Sequence, residues 1–354
     1  MSSSSGRSPA LAKSSGAGSR GGGRPAGSPL SMVLATALLA LLIAAVTVAL
    51  PGIRPAERRA VAPARPVTHA AATVTGPGAA LSTSWLSAHP GPDLALHGQA
   101  DILVDVDARQ VLWQRDPHTP RAPASLTKLV TAMVAADLAP LDRVVTVTAA
   151  TDVNAARSVE PTSTVMDLTA GEKLTVREVL YGLFLRSGND AAETLAGGLV
   201  ERDRFIQLMN QKAAALRMTD SHFTTPVGLD DPAMRTSPYD LAIAAAMIVT
   251  RYPALLAISG APSITLASSA THKAFDMVNY NKLVLPGSQY AYEGATGMKT
   301  AFTDDAGPCM VATAARGNRH LVAVVMNSVN FFADATKLLD YGFAQTVTPS
   351  PRPR

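Results

Sequence analysis

Within residues 80–345, stretches with strand character lie at the two ends and stretches with helix character fill the middle. Ala100–Val106 and Gln110–Gln114 are rich in Val, Ile and Leu, and the turn residues Asp107-Ala-Arg109 join them. After residue 296 the strand pattern returns at Met298–Phe302, Met310–Ala315 and His320–Asn327, with Arg316-Gly-Asn-Arg319 as a tight turn between the last two. In between, Pro123 suits a helix start and the Ala-rich run to Asp137 propagates one. Arg143–Thr148 reads as a short strand, and Thr175-Val-Arg-Glu178 is a capping box opening a helix toward Leu185. That helix breaks at Arg186-Ser-Gly-Asn-Asp190 and resumes over Ala191–Val200; further helices fit 202–217, 237–250 and 331–344. Strands grouped at the ends, rather than alternating with helices, predict an α+β fold: one antiparallel sheet built from the N- and C-terminal strands, plus a helical cluster.

The formal net charge of +4 conceals an asymmetry. Residues 1–78 carry eight Lys or Arg against Glu57 alone, whereas the remainder has 23 basic and 26 acidic residues, a balance of −3. A mildly acidic folded part argues against a nucleic-acid surface. Residues 1–29 form a polar leader too poor in apolar residues to build a core. Residues 30–50 are uncharged and apolar apart from Ser31, Thr36 and Thr47, long enough to span a bilayer as a transmembrane anchor or to serve as a signal segment. The long leader and long apolar run favour a single uncleaved span in the cell membrane, with the folded domain on the extracytoplasmic side; cleavage would make the protein secreted. Residues 51–79 read as a Pro/Ala/Arg linker, and 346–354 as a disordered tail. Cys309, the sole cysteine, excludes an intrachain disulfide and reads as a buried small hydrophobe.

Three short motifs place polar groups where a fold alone does not require them. Ser125-Leu-Thr-Lys128 puts a hydroxyl and an amine one helical turn apart. Serine is a weak nucleophile until a neighbouring base takes its proton, and a desolvated lysine can be that base. Ser187-Gly-Asn189 interrupts two apolar helices, and Lys299-Thr300 lies in a strand flanked by Gly294, Gly297 and Gly307. Taken singly, these are an ordinary helix start, a capping loop and a guarded edge strand.

Together and in this order, Ser-x-x-Lys, Ser-x-Asn and Lys-Thr form a known catalytic set. From about Ala100 to Phe343 the sequence resembles the serine D-Ala-D-Ala carboxypeptidases, the low-molecular-mass penicillin-binding proteins of the SxxK acyltransferase superfamily. Pro123-Ala-Ser-Leu-Thr-Lys128, Arg186-Ser-Gly-Asn-Asp-Ala191, Asn279-Tyr-Asn-Lys282, Gly297-Met-Lys-Thr300, Asp305-Ala-Gly307 and Val311-Ala-Thr-Ala314 carry the resemblance. It implies a β-lactamase/transpeptidase-like fold. It also implies an enzyme that removes the terminal D-Ala from peptidoglycan stem pentapeptides through an acyl-serine intermediate and is inhibited by β-lactams. By the same resemblance Ser125 is the nucleophile, Lys128 its base and Ser187 a proton relay to the leaving amine. Asn189 holds the substrate peptide and the lysine, and Lys299 and Thr300 bind the substrate carboxylate. The backbone N–H groups of Ser125 and Phe302 form the oxyanion hole. No cofactor or metal is implied.

Two alternatives stand beside this reading. Ala301 occupies the position of the family's usual glycine, where an added methyl crowds the cleft. A catalytically weak peptidoglycan- or β-lactam-binding pseudoenzyme is one alternative. A β-lactamase is the other; its deacylating glutamate should follow Ser187 by some tens of residues, yet residues 222–231 contain no Glu. Asp190 reads as a cap of the following helix, His222 as a structural or surface histidine, and Asp304-Asp305 as a loop.

Overall fold

The computed structural model describes residues 80–347, so the expected leader (1–29), membrane segment (30–50) and linker (51–79) lie outside the described residues, as does most of the tail. In chain order the elements are α1 (Ser84–Ala88), β1 (Ala100–Asp105), β2 (Gln110–Arg115), a 3₁₀ turn (Ala124–Thr127), α2 (Lys128–Leu138), β3 (Val144–Thr146), α3 (Val153–Val159), β4 (Lys173–Thr175), α4 (Val176–Leu185), α5 (Asn189–Leu199) and α6 (Arg202–Ala215). Then follow α7 (Pro238–Arg251), α8 (Pro253–Ser259), β5 (Ser263–Leu266), β6 (Phe275–Val278), β7 (Ala295–Ala301), β8 (Cys309–Arg316), β9 (Arg319–Met326) and α9 (Phe331–Ala344).

The expected sheet is present: five antiparallel strands in the order β2-β1-β9-β8-β7. β1 lies against β9, Ala100 opposite Met326 and Asp105 opposite Leu321, so the two ends of the domain close on each other. Side chains alternate across this sheet as strand geometry requires. Ile102, Val104, Val311, Val322 and Val324 face a large core shared with the helical cluster. Leu103, Leu112, Met310, Leu321, Ala323 and Val325 face a second core closed by Leu338 and Leu339 of α9. The sheet is thus covered on both faces, where the sequence reading placed helices in one cluster.

Within that cluster α2 is buried at every position from Lys128 to Ala135, as an all-round apolar helix must be. The capping box is formed: Glu178 N–H donates to Thr175 Oγ1, and the Glu178 carboxylate accepts from Thr175 N–H. Three details depart from the sequence reading. Ser125 sits in a 3₁₀ turn ahead of α2 rather than in its first α-helical turn. α5 restarts at Asn189, earlier than Ala191. Two small two-stranded antiparallel sheets, β3–β4 and β5–β6, add strands of three or four residues at 173–175, 263–266 and 275–278. Among the described residues no single helix is long and apolar enough to cross a membrane.

Candidate active site

The 3₁₀ turn and the first turn of α2 set Ser125 Oγ 2.8 Å from Lys128 Nζ. Lys128 has no solvent exposure, and its Nζ also donates to Asn189 Oδ1 and to the Val227 carbonyl oxygen, each at 2.8 Å. Burial drives its pKa well below the ordinary lysine value, and the nearby Lys299 charge pushes the same way. A neutral amine has two N–H donors and one lone pair. Two fixed carbonyl acceptors take the donors and leave the lone pair for the Ser125 hydroxyl, the arrangement a general base needs.

Asn189 reaches Lys128 because Gly188 and Ser187 turn the chain sharply between α4 and α5. Ser187 has a left-handed φ of +57°. A side chain on Gly188 would meet the Asp190 carboxylate at 2.8 Å and Met166 N at 2.9 Å. Asn189 Nδ2 donates to Ser163 Oγ at 3.0 Å, which fixes the amide so that its oxygen faces the lysine. Asp190 is fully buried, and its carboxylate accepts the N–H groups of Met166, Leu168 and Ala191 at 2.8 Å each. It therefore ties the 166–168 loop to α5 rather than acting as the N-cap of α5, which is Gly188.

β7 is the edge strand of the main sheet and packs against the Ser125 turn. Lys299 on β7 is 1% exposed, and its Nζ donates to the Thr300 carbonyl oxygen at 2.7 Å. Burial pushes its pKa down to about 7. Taken singly, Lys299 could have been the exposed guard of an edge strand; the strand is an edge, but its lysine is inside. Ala301 is buried against the core and also borders the cleft, while Phe302, just past the strand, is 62% exposed.

A cleft of about 670 Å³ joins these parts. Ser125, Ser187, Asn189, Thr300, Ala301 and Phe302 all line it, so six of the eight positions singled out in the sequence open onto one cavity, and Lys128 and Lys299 sit behind its wall. The 226–230 segment, searched in the sequence for a glutamate, instead contributes Val227, Gly228, Leu229 and Asp230. Gly228 has φ +87°, and a Cβ there would fall 1.9 Å from the Ala124 carbonyl oxygen. Ser163, Gly228 and the Val227 carbonyl were not found from the sequence; a Gly two residues beyond a proline was the only local signal.

A cleft-lining serine beside a buried lysine, a carbonyl cradle for that base and an edge strand beside it define a serine acyl-transfer site of the lysine-base type. The D-alanyl-D-alanine carboxypeptidase family matches residues 87–330. The chain belongs to this family, the class of serine D,D-carboxypeptidases, and the expected fold and family are borne out. It is 31% identical over 266 residues to the D-alanyl-D-alanine carboxypeptidase DacF of Bacillus subtilis, covering 72% of this chain and 64% of that protein. It is 34% identical over 254 residues to DacB2 of Mycobacterium tuberculosis, covering 70% of this chain and 82% of that one. Among solved structures, the Streptomyces K15 DD-transpeptidase superposes with a TM-score of 0.64 at 27% identity, covering 71% of this chain and 98% of that one. Penicillin-binding protein 6B of Escherichia coli gives 0.66 at 30% identity, covering 75% and 82%.

Proposed function

We propose that this protein is a serine D,D-carboxypeptidase that removes the terminal D-Ala from peptidoglycan stem pentapeptides. The observation that carries the reading is the Ser125–Lys128 pair, with the lysine buried, its pKa driven down by desolvation, and held by Asn189 and Val227. Ser125 Oγ attacks the carbonyl carbon of the penultimate D-Ala as Lys128 takes its proton. The negative charge on the carbonyl oxygen is held by the N–H groups of Ser125 and Phe302. Each such donor contributes about 2.7–4 kcal/mol to the transition state. Ser187, at the cleft wall, passes the proton to the nitrogen of the leaving D-Ala, and the C–N bond breaks. Water then attacks the acyl-serine ester with Lys128 again as base, which frees the shortened peptide and restores Ser125.

Asn189 orients the lysine, and Thr300 offers its hydroxyl to the substrate carboxylate. Lys299 adds positive field from behind the strand. β-Lactams acylate Ser125 by the same route, and no glutamate in 222–231 is placed to hasten deacylation, which favours a carboxypeptidase over a β-lactamase. The intact set around Lys128 favours a working enzyme over a binding-only protein. Residues 30–50 anchor the chain in the cell membrane with the catalytic domain on the extracytoplasmic side, where peptidoglycan lies; their length and lack of charge support this.

The test is D-Ala release from a peptide ending in D-Ala-D-Ala by the full chain, beside Ser125→Ala. Release by the wild type and none by the variant is expected. No release from either overturns the reading.

A further inference from the structure

Lys128 acts as a base only when its lone pair points at Ser125, and that depends on which atom of the Asn189 amide faces it. With Oδ1 toward Nζ, the amide accepts an N–H of the lysine and leaves the lone pair free. Turned end for end, the amide presents Nδ2, a donor, which competes with the Ser125 hydroxyl for that lone pair. The two orientations fill the same space, so packing does not choose between them. The hydrogen-bond partner on the far side of the amide does.

That partner is Ser163. Its Oγ lies 3.0 Å from Asn189 Nδ2 and 3.3 Å from the Ala156 carbonyl oxygen of α3. A carbonyl only accepts, so the single hydroxyl proton of Ser163 goes to Ala156, and its oxygen is left to accept from the amide. The polarity then runs one way. Ser163 O–H donates to Ala156, Asn189 N–H to Ser163, Lys128 N–H to Asn189 Oδ1, and Ser125 O–H to the lysine lone pair. Reversing the amide would draw the Ser163 proton off Ala156 and aim a donor at the base. The loop carrying Ser163 is pinned to the turn carrying Asn189 on the next residue: Thr164 Oγ1 donates to the Ser187 carbonyl oxygen, and Asn189 N–H to the Thr164 carbonyl oxygen, both at 2.9 Å. On the other side Ser163 N–H donates to the Glu160 carbonyl oxygen at 2.9 Å, so the hydroxyl is held in place before any substrate arrives.

We propose that Ser163 is a positioning residue: through the Asn189 amide it aims the lone pair of Lys128 at Ser125 and keeps the lysine a base. This rests on the carboxypeptidase reading. The experiment is the pH profile of penicillin acylation of the full chain, with Ser163→Ala and Ser163→Thr beside the wild type. Ser163→Ala frees the amide to reverse, and is expected to lower the plateau rate about 10- to 100-fold, the worth of one misdirected buried hydrogen bond. It also takes from Lys128 the Oδ1 acceptor that favours its charged form. The lysine then holds its proton less well, and the acidic limb of the profile should move down by about one pH unit. The charges bearing on Lys128 are Lys299, which lowers its pKa, and Asp190 and Glu193, which raise it; neither variant alters them. Ser163→Thr, which keeps the hydroxyl, should restore both plateau and limb. An unchanged plateau overturns the proposal. So does a lower plateau with the limb in place, which a merely structural defect would give, and so does a threonine variant that behaves like the alanine one. A wild-type chain that penicillin does not acylate refutes the carboxypeptidase reading itself, before any variant is compared.

Discussion

Gly228→Ala is a one-methyl change that should disable the enzyme without touching any reacting atom. The added Cβ falls 1.9 Å from the Ala124 carbonyl oxygen and 2.7 Å from Thr127 Oγ1, so the 226–228 segment or the Ser125 turn must retreat. Reaching even a tight contact takes a shift of roughly 1 Å, and a misplacement of that size near the chemistry typically costs about 10²-fold in rate. The same shift pulls the Val227 carbonyl off Lys128 Nζ. Leaving a buried donor unpaired costs about 1–3 kcal/mol. Alanine at φ +87° adds about 1–2 kcal/mol of backbone strain. Stability should therefore fall by about 2–5 kcal/mol, a Tm drop on the order of 5–15 °C for a domain of this size. Stopped-flow acylation by a penicillin and a thermal melt of the same preparation measure both effects. A variant with wild-type acylation and an unchanged Tm would refute the argument that the Val227–Gly228 backbone cradles the base.

Two further perturbations follow from the same site. Lys299 is depressed to about 7 by burial, whereas it titrates near 10.5 when unfolded, so charging it in the folded state opposes folding. That cost, on the order of 5 kcal/mol, is fully present below the folded pKa and relieved as pH rises toward the unfolded one. Lys299→Met should therefore be more stable than the wild type in urea at about pH 6, with the gap shrinking at about pH 9, and less active throughout; a gap that stays constant contradicts the assignment. Ala301→Gly removes a buried methyl and loosens a strand, so about 1–2 kcal/mol of stability should be lost with little change in D-Ala release. A large gain in turnover would instead mark the natural chain as a weak enzyme.

Much of this was legible in the sequence, for identifiable reasons. The α+β grouping followed from strand signals at the two ends, and the closing helix over 331–344 and the Thr175 box matched the structure because each carries its own local signal. Ser125, Lys128 and Asn189 were named before their juxtaposition was known, because the three-motif order constrains them jointly. What stayed hidden was of two kinds. β4, β5 and β6 are three or four residues long, too short to show a period. The Val227 carbonyl and the Ser163 hydroxyl depend on which distant backbone or side chain arrives, and no residue type announces that. Asp190 was seen but misplaced: an Asp before a helix reads as a cap until packing decides otherwise.

The central claim is that Ser125, activated by Lys128, becomes acylated. The most direct test is to incubate the full chain with a penicillin, digest it and locate the added mass by tandem mass spectrometry. A single penicilloyl adduct on Ser125, absent from Lys128→Ala, is the expected result. An adduct on another residue, or acylation of Ser125 that persists at the same rate without Lys128, would contradict the account.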